Sequence, residues 1–146
     1  MNRSWLGSET FVVESDKLYF TWADFDNAVS AIVESLERRG LMPRVSRIYG
    51  IPRGGLVLAV ALSHRLGLPL TLSLTEVTWK GRTLVVDDIS DSGQSLSPFT
   101  KTAVCTATIH VVPGTSCVPD IWVFERPKDK WVVYPWETNS ERRSNG

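Results

Sequence analysis

Apolar positions near the start of the chain show two spacings, one typical of strands and one typical of helices. Leu18 to Phe20 is a short apolar run that predicts a strand. From Phe25 to Leu36 the apolar residues recur every three or four positions, which predicts an amphipathic helix that ends near Gly40. Thr21 can cap this helix, and the negative charge of Asp24, three residues later, interacts favourably with the positive end of the helix dipole. The chain therefore begins with a strand followed by a helix.

The same order of strand, loop and helix returns in the middle of the chain. Arg47 to Ile51 predicts a short strand, which breaks at Pro52-Arg53-Gly54-Gly55. Leu56 to Leu66 then resumes helical spacing and stops at Gly67. This segment reads as a second unit of strand, loop and helix.

The next segment has the pattern of a hairpin. Leu70 to Val77 alternates as a half-buried strand does, Lys80-Gly81 is typical of a tight turn, and Thr83 begins another apolar run. After that run a helix is expected to start near Ser95. It must be short, because Pro98 is tolerated only in a first turn.

Three apolar runs close the pattern: Val104 to Val112, Ile121 to Phe124 and Trp131 to Tyr134. The first has the density of β-branched residues typical of a buried strand. Strands alternating with helices predict an α/β fold, mainly a parallel sheet with helices on both faces. We expect a single domain over residues 1–137 and a polar, mobile tail over residues 138–146.

Composition narrows the classes of partner. Sixteen Lys and Arg residues balance 16 Asp and Glu residues, so no general attraction to nucleic acid or to a membrane surface is expected. Cys105 and Cys117 fit neither a redox motif nor a zinc pair and are expected as reduced thiols. Trp5 and Glu9 interrupt any signal peptide, and no run is long enough to span a membrane, so we expect a cytoplasmic protein with small-molecule substrates. The oligomeric state stays open.

The strongest chemical feature is the run from Leu84 to Ser95, an apolar strand that delivers three carboxylates into a glycine-containing loop. The backbone amides of Ser92, Gly93, Gln94 and Ser95, with the hydroxyls of Ser92 and Ser95, can enclose a phosphate, helped by the helix expected to follow. Asp87 and Asp88 suit the two hydroxyls of a ribose, or a magnesium ion shared with the ligand. An acidic turn that merely caps a helix is the alternative for this run, as a plain turn is for Gly54-Gly55.

Through these motifs the chain resembles the type I phosphoribosyltransferases, in particular the xanthine-guanine (6-oxopurine) branch. Val85 to Ser95 is similar to the family's signature for phosphoribosyl pyrophosphate (PRPP). Four other runs are similar and stand in family order: Tyr19 to Trp22, Gly50 to Leu56, Val118 to Asp120, and Lys130 to Glu137. The resemblance covers nearly the whole chain before the tail and implies the type I phosphoribosyltransferase fold.

The resemblance implies a role for each matching position. Arg53, Gly54 and Gly55 would hold the diphosphate in a loop with a strained peptide bond, and Mg²⁺ would accompany PRPP. The acidic pair would bind the ribose hydroxyls, and the turn from Ser92 to Ser95 the 5′-phosphate. Asp91 would belong to the PRPP site and would be the general base at the purine. Trp131 would stack on the purine, with the backbone near Val132 and Val133 reading its edge. A core aromatic is the alternative for Trp131.

Two departures from the family bear on the accepted base and on the rate of transfer. Where the family has a long mobile lid, Thr75 to Arg82 is little more than a turn, and Trp79, Lys80 or Arg82 would either cover the diphosphate or form a solvated tip. Where the family has a lysine that recognises the purine 6-oxo group, this chain has Val112. The accepted base and the rate of transfer are therefore open.

Two hypotheses from different classes follow. The first is an enzyme of purine salvage that transfers phosphoribose from PRPP to a purine or purine-like base and releases pyrophosphate. The second is a regulatory protein that binds PRPP or a nucleotide but is catalytically weak or inactive. A relative with a purely structural role is a third reading. Turnover with a panel of bases separates the first two, and ligand binding separates both from the third.

Overall fold

The computed structural model of the chain describes residues 12–14 and 16–137. The strands are β1 (Val12–Glu14), β2 (Lys17–Tyr19), β3 (Arg47–Gly50), β4 (Leu70–Thr71), β5 (Thr83–Ser90), β6 (Cys105–Val111), β7 (Ile121–Glu125) and β8 (Trp131–Val133). The α-helices are α1 (Trp22–Arg38), α2 (Gly54–Leu66) and α3 (Leu74–Lys80), and 3-10 helices cover Met42–Arg44 and Ser97–Phe99. The predicted tail, residues 138–146, lies outside the described residues.

Five strands form one parallel sheet in the order β4-β3-β5-β6-β7. The chain first steps from β3 outward to β4, then crosses back to β5 on the other side of β3. The strand order therefore reverses between β3 and β5, and open α/β sheets bind ligands outside the carboxyl ends of the strands at such a point.

A smaller sheet has the order β1-β2-β8, in which β2 and β8 run parallel. Two backbone hydrogen bonds flank this pair: Trp131 N donates to Asp16 O at 2.7 Å, and Phe20 N donates to Val133 O at 2.9 Å. The small sheet thus joins the two ends of the described chain.

The predicted cap of the first helix is confirmed. Thr21 Oγ1 accepts from Asp24 N at 3.0 Å, and Asp24 Oδ2 accepts from Thr21 N at 2.9 Å, so two amide donors at the helix start are satisfied reciprocally. The helix ends at Arg38, and Gly40 follows with a positive φ of 68°, a conformation that glycine adopts without steric cost.

Helices cover both faces of the large sheet, as predicted. On one face, the apolar sides of α1 and α2 pack on β3, β5, β6 and β7, with Ile32, Leu58 and Leu62 fully buried. On the other face, Val77 of α3 packs with Tyr49, Val85 and the segment around the second 3-10 helix. The sheet is therefore enclosed, and its seven-residue strand β6 is buried along its whole length.

The predicted hairpin is wrong. Leu70 to Val77 splits into the two-residue strand β4 and the helix α3, and β4 and β5 both pair in parallel with β3 rather than with each other. Leu74 and Val77 are spaced for a helix as well as for a strand, and Ser73 decides the outcome by accepting a hydrogen bond from Glu76 N at 3.3 Å. The connection is a crossover, which parallel strands require.

The helix expected near Ser95 exists only as the three-residue 3-10 helix Ser97–Phe99. Pro98 lies in it, where its missing amide costs little. Within the described residues, no helix is long and apolar enough to cross a membrane.

Candidate functional site

A cleft of about 610 Å³ lies at the carboxyl ends of β3 and β5, where the strand order reverses. Two loops form its walls, one between β3 and α2 and the other after β5. The cleft brings together eight of the predicted ligand residues. These are Arg53, Gly54, Asp87, Asp88, Asp91, Ser92, Gly93 and Ser95.

The first loop lies directly against the second. Ile51 N donates to Val86 O at 2.9 Å, and the Pro52–Arg53 peptide bond is cis, at the position where the resemblance implied an unusual peptide. A side-chain carbon on Gly54 would overlap the carboxylate of Asp88, and one on Gly55 would lie 2.5 Å from Val86 O. Position 54 requires glycine because the Asp88 side chain lies against it, and position 55 because the backbone of the second loop does.

The start of α2 faces the same cleft. Gly54 is the first residue of this 13-residue helix, no acidic side chain lies in its first turn, and Arg53 supplies no side-chain cap. The positive end of the helix dipole is therefore directed at the cleft, where it favours negative charge. The Asp88 carboxylate of the neighbouring loop, which lies against Gly54, is one such charge.

The acidic pair at the end of β5 is buried against this loop. Asp87 is buried and accepts from the Asp88 amide at 2.8 Å. Burial raises the pKa of Asp87 to about 9, and repulsion from the Asp88 carboxylate adds to the rise. Burial also raises the pKa of Asp88. Without a cation, the pair therefore retains a proton at neutral pH.

The turn after β5 is shaped by backbone contacts with the loop between β6 and β7. Gly93 has a φ of 92°, and a side-chain carbon there would lie 2.5 Å from Ser116 Oγ and 2.6 Å from Cys117 N. Ser116 N and Oγ both donate to Ser92 O. The loop between β6 and β7 thus holds the Ser92–Ser95 turn in place.

One element of the predicted phosphate site is wrong. The described residues between Ser95 and β6 contain no α-helix, so the helix dipole expected to help at this turn is absent. Only the few residues up to Cys105 separate the turn from β6, and Pro98 interrupts them. The donors that remain are the hydroxyls and backbone amides of the turn, of which the Gln94 amide already donates to Ser92 Oγ at 3.2 Å.

Asp91 forms an ion pair that the sequence analysis missed. Arg126 Nη2 lies 3.4 Å from Asp91 Oδ2, and Arg126 Cζ lies 5.4 Å from the centre of the Trp131 ring. Asp91 and Trp131, both assigned to the base from the resemblance, are therefore neighbours through a third residue. The signal was a charged residue directly after the buried strand β7.

The other predicted base residues lie beside the cleft rather than in its wall. Val112 is buried, as are the side chains of Val132 and Val133, so only the backbone of β8 could read a base. The backbone amide of Trp131 and the carbonyl of Val133 face β2. Because β8 is an edge strand, the alternation of a parallel ladder directs the backbone groups of Val132 to its open side.

Two further cleft residues come from the end of the Lys130 to Glu137 run. Trp136 and Glu137 line the cleft, and Glu137 Oε1 accepts from Tyr134 N at 2.8 Å. Trp136 stacks on Tyr134 with ring centres 4.8 Å apart. The run was recognised as a motif, but only its first residues received roles.

A buried network connects this run to the acidic pair. Tyr134 Oη donates to Asp88 O at 3.2 Å and lies 2.8 Å from His110 Nδ1. His110 is buried, and burial, together with the positive charge of Arg126, lowers its pKa to about 3. The ring is thus neutral. Because the Tyr134 hydroxyl donates its proton to Asp88 O, it accepts from His110, and the ring proton of His110 is therefore on Nδ1.

The segment that replaces the family lid lies away from the cleft. Gly81 and Arg82 precede β5 and therefore lie at the amino end of the sheet, opposite the ligand side. Arg82 Nη2 donates to Pro43 O at 2.7 Å, and Trp79 is 82% exposed. Trp79 is thus exposed on a helix rather than on the tip of a hairpin, and neither Trp79 nor Arg82 lines the cleft.

Comparisons with known proteins point to one group of enzymes. A solved purine phosphoribosyltransferase from Pyrococcus horikoshii is 36% identical and superposes with a TM-score of 0.71, covering 84% of this chain and 95% of that chain. A xanthine-guanine phosphoribosyltransferase from Desulfotalea psychrophila is 26% identical over 115 residues, which are 64% of this chain and 71% of that protein.

A xanthine-guanine-hypoxanthine phosphoribosyltransferase from Helicobacter pylori has the same fold at 18% identity. Its TM-score is 0.69, with 88% of this chain and 98% of that chain covered. No protein-family model matches the chain.

Proposed function

The chain belongs to the type I phosphoribosyltransferase family, and on this premise we propose that it transfers the 5-phosphoribosyl group of PRPP to a purine base and releases pyrophosphate. Such an activity is that of a glycosyltransferase of purine salvage. The proposal rests on two observations. One is the 36% sequence identity to a purine phosphoribosyltransferase over most of both chains, and the other is the cleft between the two loops.

The observation that carries the proposal is the close approach of Gly54 to Asp88. It sets the loop assigned to the diphosphate directly beside the carboxylates assigned to the ribose. PRPP carries its diphosphate on the anomeric carbon of that ribose, so its binding site needs these two groups side by side. An acidic turn that only caps a helix would have no need of such a contact.

The residues divide the ligand among them. We assign the diphosphate to the Arg53-Gly54-Gly55 loop and the start of α2, since an anion is favoured there. We assign the ribose hydroxyls to Asp87 and Asp88, whose oxygens accept hydrogen bonds. We assign the 5′-phosphate to the turn formed by Ser92, Gly93, Gln94 and Ser95.

The reaction then exchanges one bond for another at the anomeric carbon. The C1–O bond to the diphosphate breaks with its electron pair leaving on pyrophosphate, and a C1–N bond to the purine forms. The proton lost from the purine nitrogen passes to Asp91, which lines the cleft beyond the acidic pair. Positioning and charge stabilisation supply most of the acceleration.

The donor set also fits a magnesium ion shared with the ligand. Among the described residues, no cluster of three or more His, Cys, Asp or Glu side chains could hold a metal alone. Mg²⁺ typically takes one or two carboxylates and completes its shell with phosphates and water. Asp87 and Asp88 would contact it directly or through PRPP, and the ion would neutralise the charge that gathers on the leaving diphosphate.

The test is an assay of purified protein with PRPP, Mg²⁺ and a panel of hypoxanthine, guanine, xanthine and adenine. Nucleotide and pyrophosphate should appear in equal amounts with at least one base, as resolved by chromatography. Failure to form nucleotide with every base at high protein concentration would overturn the proposal. Calorimetry with PRPP then separates a regulatory protein that binds without turnover from a structural relative that does not bind.

A further inference from the structure

Arg126 is a buried cation that the assignments above leave without a role. It is only 5% exposed and follows β7 directly. Its backbone amide donates to Val111 O at 2.9 Å, which continues the pairing of β6 with β7 by one residue. Arg126 is therefore the lateral neighbour of Val112, and side chains at neighbouring positions of a parallel pair lie on the same face of the sheet.

Its guanidinium is only partly satisfied. Nη2 pairs with Asp91 at 3.4 Å, whereas Nε and Nη1 are buried with no hydrogen-bond partner among the described residues. The indole Nε1 of Trp131, the ring against which the guanidinium lies, is buried and equally without a partner within residues 16–137. Three buried donors without partners thus belong to two side chains that lie against each other, and both side chains neighbour residues assigned to the base.

Such a cluster lacks acceptors. Guanidinium and indole N–H groups only donate, and a buried donor without an acceptor costs free energy that a correctly shaped ligand recovers. The ligand that completes this site must therefore bring acceptor atoms, such as a carbonyl oxygen and a ring nitrogen without hydrogen.

We infer that Arg126 is the residue that reads the exocyclic oxygen of the base and makes the site selective for oxopurines over aminopurines. This inference rests on the proposed function and names its substrate class. Asp91 accepts the ring N–H of the base while Arg126 donates to its carbonyl, so one ion pair presents both an acceptor and donors. The cation that position 112 lacks is supplied from the neighbouring strand.

Selectivity follows from the direction of the hydrogen bonds. A 6-oxopurine offers an oxygen to the guanidinium, whereas adenine offers an amino group whose hydrogens would face other hydrogens. A site built to hydrogen-bond one group rejects an analogue that leaves its buried polar atoms unpaired.

The experiment compares wild type with Arg126→Met, Arg126→Lys and the exposed-cation control Lys128→Met. For each, kcat/KM is measured for hypoxanthine and adenine, and Kd is measured for PRPP with Mg²⁺, for IMP and for AMP. Arg126→Met should lower kcat/KM for hypoxanthine and affinity for IMP by about 10- to 100-fold. PRPP affinity should stay within about threefold, and values for adenine and AMP should fall less than those for hypoxanthine and IMP. Lys128→Met should match wild type.

Arg126→Lys tests the same point if the methionine variant does not fold, because lysine keeps the charge but loses the forked geometry. Preference for hypoxanthine over adenine should survive in it at a reduced ratio. Equal loss with both bases, or an unchanged preference in a folded variant, overturns the inference while leaving the transfer reaction intact. A wild type that forms no nucleotide and binds neither IMP nor AMP instead overturns the proposed function and this inference with it.

Discussion

No side-chain carbon fits between the α-carbon of Gly54 and the carboxylate of Asp88. This contact joins the two loops that follow β3 and β5, and so it fixes the spacing between the loop proposed for the diphosphate and the carboxylates proposed for the ribose. A methyl group at position 54 must displace either the buried acid or the backbone of the loop.

Gly54→Ala should therefore raise the Kd for PRPP by at least tenfold, because the two halves of the site are pushed apart. Calorimetry with Mg²⁺ and PRPP measures the effect. Gly40→Ala is the matched control: Gly40 has a φ of 68° and open space around it, far from the cleft. It should lose about 1 kcal/mol of stability but no PRPP affinity. Comparable affinity in Gly54→Ala and Gly40→Ala would contradict the assigned geometry.

Asp91→Asn should separate transfer from binding. The amide cannot take the purine proton, so kcat should fall by about 10²- to 10⁴-fold while the Kd for PRPP changes by less than about threefold. Single-turnover kinetics and calorimetry give the two values. Asp129→Asn, on the exposed loop before β8, is the control and should keep full activity. A parallel loss of binding and transfer would reject Asp91 as the base.

Binding of Mg²⁺ and PRPP should release a proton from the acidic pair. The pKa of Asp87 is raised to about 9 in the free protein, so the pair holds a proton at pH 7.5, and a neighbouring cation favours its loss. Calorimetry in buffers of different ionisation enthalpy should show about one proton released in wild type. Asp87→Asn should release fewer, because only the buried Asp88 carboxyl then remains to lose a proton. Identical proton release by both proteins would place the effect elsewhere.

Stability should depend on pH through His110. Its pKa is about 3 in the folded protein, below the ordinary value of 6.5, so the unfolded state binds the proton first as pH falls. Stability from this group is complete above pH 6.5 and declines below it, by at most about 1.4 kcal/mol per pH unit. Urea unfolding from pH 8 to pH 4.5 measures the decline.

His110→Gln is the comparison for this decline, since glutamine can still hydrogen-bond Tyr134 and does not titrate. Asp87 acts with the opposite sign, because its raised pKa makes the folded state bind the extra proton, but it is present in both proteins. The unfolding free energy of wild type minus that of His110→Gln should therefore shrink or change sign as pH falls. Parallel pH curves would remove His110 as the cause.

Local patterns predicted the elements that carry their own signals. The Thr21 and Asp24 box fixes the start of α1, and the apolar strand followed by Asp87 and Asp88 fixes the end of β5. The two loops assigned to the ligand could be predicted because each is continuous in sequence, and the fold followed from the alternation of strands and helices.

The errors arose where tertiary contacts decide. Leu70 to Val77 fits both a strand and a helix spacing, and its division depends on the pairing of β4 with β3 and on the Ser73 cap. Arg126 was missed because its position beside the base residues depends on the register of β6 with β7 and on its contact with the Trp131 ring. Neither relationship is visible along the chain.

The pairing of β2 with β8 has a consequence for how the protein reaches its working form. Lys17 pairs with Trp131, partners from opposite ends of the described chain, so this ladder closes a very long loop and is slow to form. During synthesis, β2 leaves the ribosome early and must wait until almost every other element has been made. The loops that follow β3 and β5 can assemble within the five-stranded sheet during that wait. The part of the cleft wall formed by Trp136 and Glu137, which follow β8, is then the last to be completed.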